Sequence, residues 1–273
     1  MILTPLDYTA PTTVADAVAA AAGPGARFLA GGQSLLVELQ AGEGTASTLV
    51  DLRKIDSLRG IGTTASGELA LGAMSTVDDI ARNPLVRTTF PVLAEAAAAV
   101  GDPQVRNRAT LGGNLAAAGE GTDLPAALLA LDARVLLAGD ESLTVEDFLA
   151  QGAAGRLVTG VMLSTQDGRS AFEKQPRQAI PYAVTAVGVQ LVMGATVESI
   201  RIGLTGPTQR PVRLRDVETA LVGTDAGQEA VLAAFAALPG DLFSRTRGAS
   251  AEYVRHVTGV LAARAVRRIA DLT

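Results

Sequence analysis

The chain opens with Thr12 or Thr13 placed to cap a helix through TVADAVAAAA, which Gly23-Pro24-Gly25 ends. RFLA (27–30) then reads as a short strand, and Gly31-Gly32 turn the chain out of it. SLLVELQA has the apolar spacing of a helix that stops near Gly42, and STLVDL (47–52) is a second strand. Residues 27–52 therefore predict a βαβ-like unit.

The rhythm changes after this unit. SLRGIGTTASGELALGAM holds two short strands around a Ser-Gly turn, which is a hairpin signal. Thr76 with Asp79 three residues on is a variant of the capping box and starts a helix. Pro84 and Pro91 each start another, the second running through LAEAAAAV until Gly101-Asp102-Pro103 breaks it. QVRNRA is expected as loop or edge strand, followed by a turn at TLGGNLA. LPAALLALDARVLLAG reads as helix, short loop and strand.

From about residue 156 strands dominate: RLVTGVML, SAFEKQ, AVTAVGVQLVMG and SIRIGLTG. Two helices close the chain, EAVLAAFAAL and the longer ASAEYVRHVTGVLAARAVRRIA. The last keeps Val257, Leu261 and Ile269 on one stripe and Arg264, Arg267 and Arg268 elsewhere. The pattern predicts a mixed N-terminal half and a separate α+β domain from about residue 168.

Composition narrows the chemistry. The 273 residues are 48% hydrophobic, enough for a sizeable core and more than one domain. A net charge of −5 argues against a nucleic-acid binder. There is no cysteine, so the chain offers no disulfide framework, thiolate nucleophile or cysteine-ligated cluster. The single histidine, His256, leaves a Ser-His-Asp triad or a multi-histidine metal site without its parts. The N-terminus lacks a charged and apolar leader, and no segment has the length of a membrane span, so a cytoplasmic protein is expected.

What remains are two double-glycine stretches, AGGQSLL (30–36) and TLGGNLA (110–116). One such pair alone also marks an ordinary tight turn. Two of them, each leading into a helix, suit an anion: glycines let backbone N–H groups come close, and a helix start adds its positive end. Gln33, Ser34, Thr110 and Asn114 add neutral polar groups, and the two loops could clamp a dinucleotide pyrophosphate from both sides. Neither stretch is G-x-G-x-x-G or a Walker A loop, so a standard Rossmann domain is not expected.

Taken in order and spacing, ARFLAGGQSLL, GDPQVRNRATLGGNLA, Asp123-Leu124-Pro125-Ala126, SAFEK and SAEYVRHVTGVLAARAVRR resemble the FAD-binding medium subunits of molybdenum hydroxylases. That family includes the middle subunit of aerobic carbon monoxide dehydrogenase and the flavin domain of xanthine dehydrogenase. The resemblance covers nearly the whole chain. It implies an α+β chain with the two-subdomain FAD-binding fold of the vanillyl-alcohol oxidase type, divided as 1–57 and 58–167, and a small α+β C-terminal domain over 168–273. By the same likeness, Ala30, Gly31, Gly32, Gln33 and Ser34 form the first pyrophosphate loop. Thr110, Gly112, Gly113 and Asn114 form the second. Asp123 would bind a cofactor hydroxyl, and Val100 and Val158 would line the flavin or adenine. Lys174, or Glu173 with a shift of one, would sit near the isoalloxazine edge, and Tyr182 would cover the ring. Read from the residues alone, Arg106 and Arg108 either steer anionic phosphates or belong to a solvated loop. The stretch AAAGEGTD departs from the family pattern A-x-P-A-S-D and puts a carboxylate, Glu120, near the expected pyrophosphate.

The function implied is electron transfer. The chain would take electrons from [2Fe–2S] clusters of a small subunit, fed by a large molybdopterin subunit, and pass them through FAD to NAD, oxygen or quinone. The assembly would be a heterotrimer, alone or dimerised. A free-standing FAD-dependent oxidoreductase and a scaffolding subunit without FAD are the alternatives.

Overall fold

The structure is a computed structural model that describes residues 6–119, 122–177, 180–243 and 249–271, without the side chains of 177 and 180–182. Its first sheet is parallel and small. β1 (Asp7–Thr9), β2 (Ala26–Leu29) and β3 (Thr48–Asp51) lie in the order β1-β3-β2. The expected βαβ unit is β2, α2 (Leu35–Ala41) and β3. Gly42, at φ 77°, ends α2 in the left-handed conformation that glycine adopts without strain. Ahead of it, α1 (Val14–Ala20) is capped by Thr13, whose Oγ1 accepts from Asp16 N.

The second sheet has the order β4-β5-β8-β6-β7 and is antiparallel throughout. Its strands are β4 (Ile61–Thr63), β5 (Leu69–Gly72), β6 (Arg134–Leu137), β7 (Ser142–Thr144) and β8 (Val158–Leu163). Between β5 and β6 run six helices: α3 (Val77–Arg82), α4 (Pro84–Thr89), α5 (Pro91–Ala98), α6 (Pro103–Arg106), α7 (Leu111–Ala117) and α8 (Leu124–Ala130). The capping box at Thr76 and Asp79 is formed in both directions. A further helix, α9 (Val145–Gln151), follows β7 and buries Phe148. Two expectations are corrected here. QVRNRA is loop only from Asn107 to Ala109; Gln104 to Arg106 lie in α6, because Asp102 and Pro103 occupy the N-cap and first position of a helix. TLGGNLA is not a turn either: Thr110 caps α7, and both glycines fall in its first turn.

The third sheet is antiparallel, in the order β12-β11-β10-β9. It comprises β9 (Arg169–Arg177), β10 (Ile180–Met193), β11 (Val197–Thr205) and β12 (Val212–Arg213), and α10 (Arg215–Leu221), α11 (Gln228–Ala236) and α12 (Ala251–Ala270) complete the domain. Both faces of this sheet are covered, which is why β10 reads as an almost unbroken apolar run. Val187, Val189 and Leu191 join Leu261, Val266 and Ile269 of α12 in one cluster. Ala186 and Phe172 instead join the core of the second sheet. On that face α8 rests directly on the strands: a Cβ at Gly188 or Gly203, paired across β10 and β11, would lie 2.7 or 2.1 Å from the Ala126 carbonyl oxygen.

Candidate functional site

The two double-glycine stretches meet. A Cβ on Gly31 would fall 1.9 Å from the Arg108 carbonyl oxygen, so the loop after β2 touches the segment leading into α7. Gly32, at φ 78°, turns the loop in a conformation open to glycine. Between them lies a cleft of about 270 Å³, lined by Ala30 to Ser34 on one side and by Thr110, Gly113 and Asn114 on the other.

The two walls differ in chemistry. Among the described residues, the backbone N–H groups of Gly31, Gly32, Gln33 and Ser34 meet no protein acceptor. Successive free N–H groups at a helix start are anion ligands. The second wall has spent its backbone donors. Leu111 N donates to Ser75 O at 3.0 Å, Gly112 N to Ala73 O at 2.8 Å, and Gly113 N to Thr110 Oγ1 at 3.2 Å. Gly112 is glycine because a Cβ would come within 2.8 Å of the Ala73 Cβ. What this wall offers are side chains. The Thr110 hydroxyl, already an acceptor, keeps its proton to donate. Asn114 Oδ1 is buried with no partner.

Asp123 stands at the N-cap position of α8 but makes no capping bond. It is 1% exposed. Its Oδ2 accepts from Lys174 Nζ at 2.6 Å, and the same ammonium donates to Ala99 O at 2.9 Å. Its Oδ1 is buried without a partner. Burial pushes the Asp123 carboxyl up to about 6, against the opposing pull of Lys174. Lys174 is thus paired with Asp123, while Glu173 bonds Arg268 at 3.1 Å.

The remaining residues named from sequence are dispersed. Val100 and Val158 sit in the core shared by the second sheet and its helices, outside the cleft wall. Arg106 is committed to the Val100 and Gly101 carbonyls and to Asp78. Arg108 is exposed and has no side-chain partner among the described residues. The side chain of Tyr182, on β10, and the whole of Glu120 lie outside the described residues. His256 is exposed and lines a separate groove between α11 and α12. Sequence reasoning missed the far part of the cleft, where Arg27, bonded to Glu38 at 3.3 Å, and Arg156 join the lining. No motif marks them; the fold alone brings them there.

A row of unpaired N–H groups facing the orphaned Asn114 oxygen across one cleft, with a second orphaned acceptor on Asp123 outside the cleft lining, fits a ligand carrying both a diphosphate and hydroxyl or amine donors. Comparison with known proteins agrees. The family model for the FAD binding domain in molybdopterin dehydrogenase matches residues 4–164. That for the CO dehydrogenase flavoprotein C-terminal domain matches 170–269. The carbon monoxide dehydrogenase medium chain of Afipia carboxidovorans is 34% identical over 284 residues, covering 98% of each chain. That of Hydrogenophaga pseudoflava is 34% identical over 247 residues, covering 86% of each. A solved carbon monoxide dehydrogenase from Hydrogenophaga pseudoflava, lacking the Mo-pyranopterin moiety of its cofactor, superposes with a TM-score of 0.91 at 31% identity, covering 99% of each chain. With both halves matched along their whole length and a cleft chemically suited to FAD, the chain belongs to the FAD-binding medium subunits of the molybdenum hydroxylases, a family of oxidoreductases.

Proposed function

We propose that this chain is the electron-exit subunit of a molybdenum hydroxylase complex. The observation that carries the reading is the cleft itself, walled on one side by free backbone N–H groups, in a chain with no cysteine. Any cysteine-ligated cluster that feeds it must belong to another chain. Bound in the cleft, FAD supplies two-electron and one-electron redox chemistry, linking [2Fe–2S] clusters of a small subunit to NAD, oxygen or quinone.

The residues here bind and orient. Gly31 to Ser34 direct backbone N–H groups at the diphosphate, with Ala30 completing the loop, and Thr110 adds a hydroxyl donor. Gly112 and Gly113 let α7 pack close enough to present Asn114. Asp123 accepts from a cofactor hydroxyl through its orphaned Oδ1. Val100 and Val158 support the flavin or adenine from the core. The working units are 1–57 and 58–167 around the cofactor and 168–273 behind it. Relatives named as medium chains favour a heterotrimer with a large molybdopterin subunit and a small iron–sulfur subunit. Among the described residues no helix is long and apolar enough to cross a membrane, and a cytoplasmic complex is the natural setting.

Purification of the native assembly tests this. Molybdenum, iron and two further chains are expected to copurify with the flavin. A flavin-loaded chain that runs alone, free of molybdenum and iron, would favour the free-standing oxidoreductase instead.

A further inference from the structure

The C-terminal domain holds the FAD domain by polar contacts at Thr122 and Asp123. From β9, Lys174 donates to Asp123 Oδ2 and to Ala99 O, at 2.6 and 2.9 Å. From β11, Thr205 Oγ1 donates to Thr122 O at 2.8 Å. Two adjacent residues of the FAD domain are therefore held from behind by two strands of the other domain. Both partners of the ion pair are nearly sealed from water, with side-chain exposures of 8% for Lys174 and 1% for Asp123. A buried ammonium is costly, so one with so short a bond is held there by its carboxylate.

We infer that Lys174 is a positioning residue: it fixes Asp123 by one oxygen so that the other, Oδ1, stays free for the cofactor, which makes the C-terminal domain part of the FAD site. The inference rests on the FAD reading above. Its basis is the division of labour within one carboxylate. Oδ2 carries the ammonium, and Oδ1 is buried with no donor at all. A buried acceptor in that state calls for a partner that the protein does not supply.

No other charge among the described residues acts on Asp123. On α5, Glu95 is bound to Arg268 and to Phe172 N. Arg106, just beyond α5, is spent on Asp78 and two carbonyls. α7 carries no charged residue, nor does β10, whose one titratable side chain, Tyr182, lies outside the described ones. Arg201, Arg213, Glu218 and Asp132 gather at the opposite end of α8, where Arg201 Nε reaches Ala130 O. The state of the Asp123 carboxyl is therefore set by burial against Lys174.

The test is FAD titrated onto the flavin-depleted complex, followed by flavin fluorescence from about pH 5 to about pH 9. In the unaltered chain, affinity should rise with pH as Asp123 loses its proton near 6. Lys174→Met removes the one influence that lowers that pKa. Its midpoint should move upward, and affinity near neutrality should fall roughly tenfold to hundredfold. Lys174→Arg keeps the charge and should keep the pH profile. Asp123→Asn should bind weakly with no pH step, and the doubly neutral pair Asp123→Asn with Lys174→Met, which buries no charge, should be equally flat. That pair also keeps the test open if Lys174→Met alone does not fold. A Lys174→Met complex that binds as the unaltered one does would overturn the inference. So would one that binds more weakly with the pH profile unmoved, since that would mean a structural role only. An unaltered complex that takes up no FAD at any pH would instead overturn the cofactor assignment, and the inference with it.

Discussion

Replacing Gly31 by alanine should nearly empty the cofactor site. The new Cβ would sit 1.9 Å from the Arg108 carbonyl oxygen and 2.7 Å from its carbon, both backbone atoms with no rotamer to escape into. The two loops must then part by roughly an ångström, since carbon and oxygen do not approach so closely. That displaces the row of free N–H groups at Gly31 to Ser34 from the proposed diphosphate position. Losing one or two charge-assisted hydrogen bonds costs about 3 kcal/mol, or roughly a hundredfold in FAD affinity. Flavin content after purification and FAD titration read this out. Gly23→Ala is the matched control, because a Cβ there meets nothing within 4 Å. Equal flavin in the two variants would mean that the contact between the loops does not shape the site.

Gly203→Ala should act on stability instead. Its Cβ would lie 2.1 Å from the Ala126 oxygen and 2.8 Å from the Leu129 Cβ, where α8 rests on β10 and β11. Either the helix lifts or the strand bends. Overpacking of this kind costs about 1–3 kcal/mol, which lowers Tm by roughly 3–10 °C in a chain of this size. Gly62→Ala, on β4 with open space around it, should leave Tm unchanged. A Gly203→Ala chain as stable as the original would show that α8 yields to the strands with ease. The coupling between the FAD and C-terminal domains would then be looser than the contact implies.

Local signals made most of this fold readable. Thr13, Gly42 and Thr76 with Asp79 mark helix ends through bonds to near neighbours, and Pro91 marks one through its fixed φ and missing N–H, so their meaning survives without tertiary context. β1 and β12 escaped because strands of three and two residues carry no period to detect. α6 was hidden by Asp102-Pro103, a pair that breaks one helix and starts the next. The site was legible to the level of motif. AGGQS points to unpaired N–H groups, because the first N–H groups of a helix have no intrahelical acceptor and glycines let a ligand approach them. The second pair looks the same in sequence and does a different job. Its backbone is bonded to Ala73 and Ser75, nearly forty residues earlier, and only the fold shows that the donors are spent. The Asp123–Lys174 pair joins residues 51 apart in two domains, so no spacing rule could have found it.

We place FAD in the cleft between the first glycine loop and α7. The most direct measurement is the visible spectrum of the native complex, with the released cofactor identified and its loss followed in Gly31→Ala. A flavin band, FAD on release, and a band strongly reduced in the variant are predicted. A colourless complex that takes up no added FAD, or one whose FAD is untouched by Gly31→Ala, would contradict the account.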